Sequence, residues 1–372
     1  MAALGDGLLV WGGRGEQGLL NDGARFLERT NQWVPMSREG APSPREEFAW
    51  ALAGKWLLVA GGKADGILAD AFVYDVLTDR WAPLPASPAP GPRHLAAAVG
   101  TALSNGVRFY VLGGLGPEGA LHDLWALDLV DGASVQWTRL SEGCPLQQPP
   151  VRSPFQTRGM SLFLVPGVFS PLAFSGLGID GTQARAAVFD LGTSQWTLDE
   201  VSRAPRPREG ASAVYDGRWL IIEGGVHPGA QPGEDLADYV ADGAYLQPVR
   251  PEVPDGGTGD AGPRWEWTSF RDSARTTVPR AFHAAVTTGD TVLVAGGNDP
   301  GYCGGGARWD LSRWDRLSVA QAPGPLPLAG GVWLTPSLDA DGGVQGGGFY
   351  VFGGHRPSAL TGTPPLVLRW IP

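Results

Sequence analysis

The sequence predicts an all-β fold made of about seven repeated four-stranded antiparallel sheets set around a common axis. Three recurrences carry that reading: apolar runs that end in a Gly pair, a Trp about twenty residues after most of them, and Pro-Arg steps followed by small apolar residues before several of them. Gly (56) and Pro (33) together make up about a quarter of the 372 residues, which borders on low-complexity composition. The chain nevertheless has 43 % hydrophobic residues, 15 Trp and 13 Phe against 18 % charged residues, so it has the material for a packed core. Short elements joined by tight turns consume Gly and Pro in this way, whereas helices do not tolerate them.

The second strand of each unit is the clearest. It reads Leu8-Leu9-Val10-Trp11-Gly12-Gly13, Leu57-Leu58-Val59-Ala60-Gly61-Gly62, Tyr110-Val111-Leu112-Gly113-Gly114, Ile221-Ile222-Glu223-Gly224-Gly225, Val292-Leu293-Val294-Ala295-Gly296-Gly297 and Tyr350-Val351-Phe352-Gly353-Gly354. Leu172-Ala173-Phe174-Ser175-Gly176 is a seventh copy, with Ser in place of the first Gly. The spacings are 49, 52, 62, 49, 72 and 57 residues, so the units fill the chain. Trp33, Trp81, Trp137 and Trp196 open the outer strand, with Trp267 delayed and Trp314 early. Phe26, Tyr74 and Phe189 stand seven residues before three of these Trp residues, across turn-type sequences, and the pairs read as hairpins of the third and outer strands. The first strand enters through Pro44-Arg45, Pro92-Arg93, Pro207-Arg208 or Pro279-Arg280 and is rich in Ala and Ser. Space is tightest at the axis, so this strand is placed innermost.

On these residues the chain resembles a seven-bladed kelch-type β-propeller over nearly its whole length. The expected blades of this single domain, residues 1–372, are 1–36, 45–86, 92–141, 157–202, 207–271, 279–320 and 328–372. The first and last are expected to be incomplete, because only Met1 to Leu4 precede the first Gly-pair strand and the chain stops before a full last Trp strand.

Loops after the Gly pairs and loops leading into the Pro-Arg steps share one face of such a meander. The family resemblance implies that binding uses this face, around the mouth of the channel. The lead-in arginines Arg45, Arg93, Arg158, Arg208 and Arg280 are expected to form an inner ring there, with Leu328 interrupting it in the last blade. Arg14, Lys63, His227, Asn298 and His355 follow Gly pairs and project toward the same face. Arg presents a planar fork suited to carboxylate or phosphate, so the ring reads as a site for an anionic small molecule or an acidic peptide or protein. The structural alternative is that each arginine pairs with a nearby acid or carbonyl.

The leading expectation is therefore a non-catalytic binding protein without cofactor or metal. The alternative resembles the bacterial kelch sugar-acid epimerases or mutarotases, with Arg as carboxylate anchor and Glu209 or His94 as proton carrier. His94 reads equally as a structural hydrogen-bonding group, Glu209 as part of a salt bridge, and His283 as a packed inner-strand residue. A formal net charge of −10 argues against a nucleic-acid partner. No apolar run is long enough to span a bilayer. Two cysteines, Cys144 and Cys303, make no disulfide framework. The expected location is the cytoplasm, or outside the cell if an export segment precedes this chain.

Gly114-Leu115-Gly116-Pro117-Glu118-Gly119 matches a dinucleotide-binding pattern, yet a strand follows it where a helix is required, so it reads as a turn. Two insertions break the period: Ser141 to Thr157, and Val226 to Tyr239 with its acidic run, each a candidate lid or partner contact.

Overall fold

A computed structural model of the chain describes residues 1–5, 7–130, 135–146, 160–165, 167–168, 170–175, 184–199, 203–227, 239–240, 242–249, 264–270, 280–297, 306–309, 314–316, 330–335, 337–338, 344–352 and 368–370. These form a β-propeller with six four-stranded antiparallel blades, spanning 2–35, 49–83, 97–141, 161–198, 212–269 and 284–316. In every blade the strands lie in chain order from the axis outward. A three-stranded sheet of Gly330–Leu334, Gly348–Phe352 and Leu368–Trp370 accompanies them, with a small hairpin of Ser337–Leu338 and Val344–Gln345.

The innermost strand Gly330–Leu334 packs on the innermost strand of blade six on one side and of blade one on the other. Tyr350 Oη also donates to Glu28 Oε1 at 2.5 Å across that junction. Blade one differs from its expected incompleteness: the three residues Ala2–Leu4 pair with Gly7–Gly15 and supply its inner strand.

The alternation of a strand explains why the second strands are apolar throughout. Successive side chains point to opposite faces, and both faces of a blade meet a neighbouring blade. Leu57 and Val59 thus pack with Leu9 and Trp11 of blade one, while Leu58 and Ala60 pack with Phe109 and Val111 of blade three. The core is accordingly divided into apolar clusters at the junctions, including those on either side of the three-stranded sheet, with a second small one of Val226, Tyr239 and Ala281 between blades five and six.

The hairpin reading holds in register. Phe26 faces Trp33, Tyr74 faces Trp81 and Phe189 faces Trp196, with ring centroids 5.3, 5.0 and 5.1 Å apart. Such aromatic pairs stabilise a sheet beyond the area they bury. On the outside, Trp indoles tie blades together: Trp81 Nε1 donates to Ser37 O (3.0 Å), Trp196 Nε1 to Ser141 Oγ (3.1 Å) and Trp267 Nε1 to Asp199.

The Gly pairs have a stated steric cause. Gly61 has φ +61°, and a Cβ there would lie 2.3 Å from the carbonyl oxygen of Arg93 in the next blade. Its neighbour Gly62 donates its N–H to that same oxygen at 2.8 Å, as Gly13 does to Arg45 O (2.9 Å) and Gly225 to Arg280 O (2.8 Å). The pair is where the backbone of one blade is hydrogen-bonded to the lead-in of the next.

Gly106–Gly116 and Gly119–Val130 form a continuous hairpin, so the dinucleotide-like pattern is a turn between strands.

Candidate mouth site and the clamps beneath it

The lead-in arginines do not form an open ring. Arg45, Arg93, Arg208 and Arg280 are all buried, at 0 to 3 % exposure, and their guanidinium groups point into their own blades. Nη1 of each donates to the carbonyl of the first Gly of the same blade's pair: Arg45 to Gly61 (2.9 Å), Arg93 to Gly113 (3.0 Å), Arg208 to Gly224 (3.1 Å) and Arg280 to Gly296 (3.1 Å).

Three of them close on an aspartate that precedes the third strand or, for Asp123, lies in its first half. Arg45 holds Asp70 bidentately (2.6 and 2.9 Å), Arg93 holds Asp123 bidentately (2.9 Å each) and Arg208 reaches Asp242 Oδ1 at 2.6 Å. Their Nε groups donate two residues back, to Ser43, Gly91 and Arg206. The anion-binding ring is thereby corrected for these residues. Arg45, Arg93 and Arg208 are buried with most of their donors used and their charge balanced inside the blade, the arrangement of the structural alternative. Burial alone would raise the carboxyls of Asp123 and Asp242, but the charge and hydrogen bonds of Arg93 and Arg208 outweigh it and hold both below the ordinary value.

Asp22 occupies the same position in blade one and takes Arg38 as its partner (2.6 Å). In blade four Arg185 stands at the aspartate position and donates to Asp199, which follows the outer strand, at 2.5 Å. Arg158, Asn298 and His355 lie outside the described residues, as does the tip of the Val226–Tyr239 insertion. The first part of the other insertion packs inward, with Cys144 and Leu146 in the core between blades three and four. Burial pushes the Cys144 thiol up to about 12, so it stays protonated and unreactive.

Three residues separate each of Arg45, Arg93, Arg208 and Arg280 from the innermost strand of its blade. The first two of the three, Glu46-Glu47, His94-Leu95, Glu209-Gly210 and Ala281-Phe282, make a collar in blades two, three, five and six, and in blades two, three and five it pairs with the residue that follows the Gly pair. The second of each pair has positive φ, between +56° and +64°. The collar is tied across blades by Leu95 N–H to Glu47 O (2.8 Å) and Phe282 N–H to Gly210 O (2.7 Å).

Its side chains differ from blade to blade. Arg14 is exposed and forms a bidentate pair with Glu46 (2.7 and 2.9 Å), and Lys63 is exposed beside it. The Nδ1–H of His94 donates to Glu47 Oε2 at 2.7 Å, both side chains keeping a small exposed part. Glu209 is buried, and His227 is half-buried just beyond the Gly pair of blade five.

One further polar group sits lower, between blades five and six. His283 Nε2 lies 2.7 Å from Ser212 Oγ and 2.9 Å from Glu223 Oε2, all three residues being buried. The residue types are those of a hydrolytic triad, but both partners meet the same ring nitrogen, so no acid orients the imidazole while its other nitrogen faces the serine. His283 is packed, as the sequence suggests, but stands one residue before the inner strand. Among the described residues no group of three or more His, Cys, Asp or Glu side chains is placed to hold a metal ion. No helix among them is long and apolar enough to cross a membrane.

No family model matches the chain, and no curated protein matches it.

Proposed function

We propose that the chain is a kelch-type propeller in which the three-stranded sheet is the seventh blade, and that it acts as a non-catalytic binding scaffold whose contact surface is the mouth face. The Gly pairs, the Pro-Arg lead-ins and the cross-strand aromatic pairs support the kelch reading. One observation carries the functional reading. The arginine clamp recurs in blade after blade as a fixed structural part, while the collar directly above it changes chemistry at every blade. A repeat scaffold that varies only where its loops converge is organised for recognition.

An anionic small molecule or acidic peptide would have to be met by Arg14 and Lys63, because Arg45, Arg93 and Arg208 are occupied within their blades. The enzymatic alternative loses its carboxylate anchor for the same reason. Glu209 is buried, and His94 gives its Nδ1–H to Glu47, so only its Nε2 is left to carry a proton.

A thermal-shift screen of amines, anions, neutral polyols and short peptides tests the scaffold reading, since a ligand that binds only the folded chain raises its stability. The expected result is stabilisation by one chemical class, reduced when Glu47 or Arg14 is replaced. Turnover of a candidate sugar acid, followed by NMR, would contradict it.

A further inference from the structure

We infer that the collar at the Glu47–His94 junction binds a primary ammonium group, carried either by a polyamine or by a lysine side chain of a partner protein. This rests on reading the mouth face as the binding surface and specifies what that surface takes.

The inference follows from the distribution of hydrogen-bond donors. The backbone N–H groups of Glu46, His94 and Glu209 are taken by the carbonyls of Lys63, Leu115 and Val226, and those of Leu95 and Phe282 by the neighbouring blades' collars. The collar side chains are Glu, Glu, His, Leu, Glu, Gly, Ala and Phe. The imidazole is the one that could act as donor or acceptor, and Glu47 decides which. In the neutral ring the proton lies on Nδ1, facing Oε2 of Glu47, so Nε2 keeps its lone pair. Nε2 has no hydrogen-bond partner among the described residues and is not sealed from solvent, and the same holds for Oε1 of Glu47.

The side chains of the junction present acceptors, an imidazole nitrogen and a carboxylate oxygen from adjacent blades. A ligand placed there must donate. A primary ammonium offers three donors on one compact cation, and its hydrogen bonds to a carboxylate are charge-assisted. Most nearby cations are already balanced, exposed Lys63 beside Glu46 being the exception. The arginines beneath are neutralised by Asp70, Asp123 and Asp242, Arg14 is paired with Glu46, and the chain carries a formal charge of −10.

The test uses the full chain labelled with 15N-histidine, at mildly alkaline pH, with the ring signals of His94 assigned by His94→Gln. It is titrated with spermidine, with a short peptide containing one lysine, and with the same peptide acetylated at that lysine. The expected result is a saturable shift of the His94 Nε2 signal with at least one ammonium probe, none with the acetylated peptide, and binding weakened about tenfold or more by Glu47→Gln. Spermidine alone would assign a polyamine, the lysine peptide alone a protein partner. The contrast between lysyl and acetyl-lysyl peptides uses the wild-type chain, so it stands even if Glu47→Gln folds poorly. The inference is overturned if no ammonium probe moves His94 up to millimolar concentration, or if the acetylated peptide binds equally well. A ligand that raises thermal stability without moving His94 would leave the scaffold reading in place and remove this one.

Discussion

The clamps and the collar lie one residue apart along the chain and behave in opposite ways. Arg93 and His94 are consecutive, yet the first is buried against Asp123 of its own blade and the second reaches across to Glu47 of the preceding blade. The clamp repeats because it does the same mechanical task each time: it joins the lead-in, the Gly pair and the start of the third strand of one blade. The collar does not repeat: Leu95, Glu209 and Ala281 are buried in it, whereas Glu46, Glu47 and His94 keep an exposed part. In a repeat protein, then, a recurring charge is first a structural part, and the positions where the recurrence lapses are where selectivity resides.

The difference is sharpest in what each region costs to lose. Replacing Arg93 by Ala leaves a buried Asp123 without its partner and is expected to destabilise the fold by about 3–5 kcal/mol, read from urea unfolding. A variant as stable as wild type would mean that the arginine is not clamped. Gly61→Ala is expected to cost about 2 kcal/mol, since the residue has positive φ and its Cβ would meet Arg93 O. That loss would show that the Gly pair, too, belongs to the clamp.

Acid probes the same parts. The Asp123 and Asp242 carboxyls lie below their ordinary value in the folded chain, so the unfolded chain binds protons more readily. Their contribution is fully present above the unfolded value of about 3.9 and is lost as pH falls through the depressed folded values. Urea midpoints should therefore drop below about pH 4, and the drop should shrink in Asp123→Asn. Smallest of all, Glu47→Gln should change stability by less than about 1 kcal/mol, because its pair with His94 is partly exposed. A loss as large as that of Arg93→Ala would place the collar among the structural parts and erase the distinction.

Much of the blade was legible in sequence because its determinants are local. A Gly pair, a Trp and an aromatic seven residues earlier are each fixed by the geometry of one strand or hairpin, and Phe26, Tyr74 and Phe189 stand opposite their Trp partners as read. The short strand Ala2–Leu4 was read as too little to complete blade one, yet three residues suffice for pairing at the crowded axis.

The clamp aspartates Asp70, Asp123 and Asp242, and Asp22 at the same place in blade one, each stand four residues before the aromatic or Leu that faces the outer Trp. They were hidden because the loop between Gly pair and third strand varies, so the Arg-to-Asp separation runs from 25 to 30 to 34 residues and shows no fixed spacing. The Glu47–His94 pair, 47 residues apart in sequence and joining two blades, has no sequence signature at all.

The most direct measurement is a double-mutant cycle on Arg93 and Asp123 by urea unfolding, using Arg93→Met, Asp123→Asn and the combination. If the arginine is a clamp, each single change costs more than the pair together would suggest, with a coupling of about 2 kcal/mol or more. Additivity within about 0.5 kcal/mol would show that Arg93 is free to serve a ligand and would contradict the account.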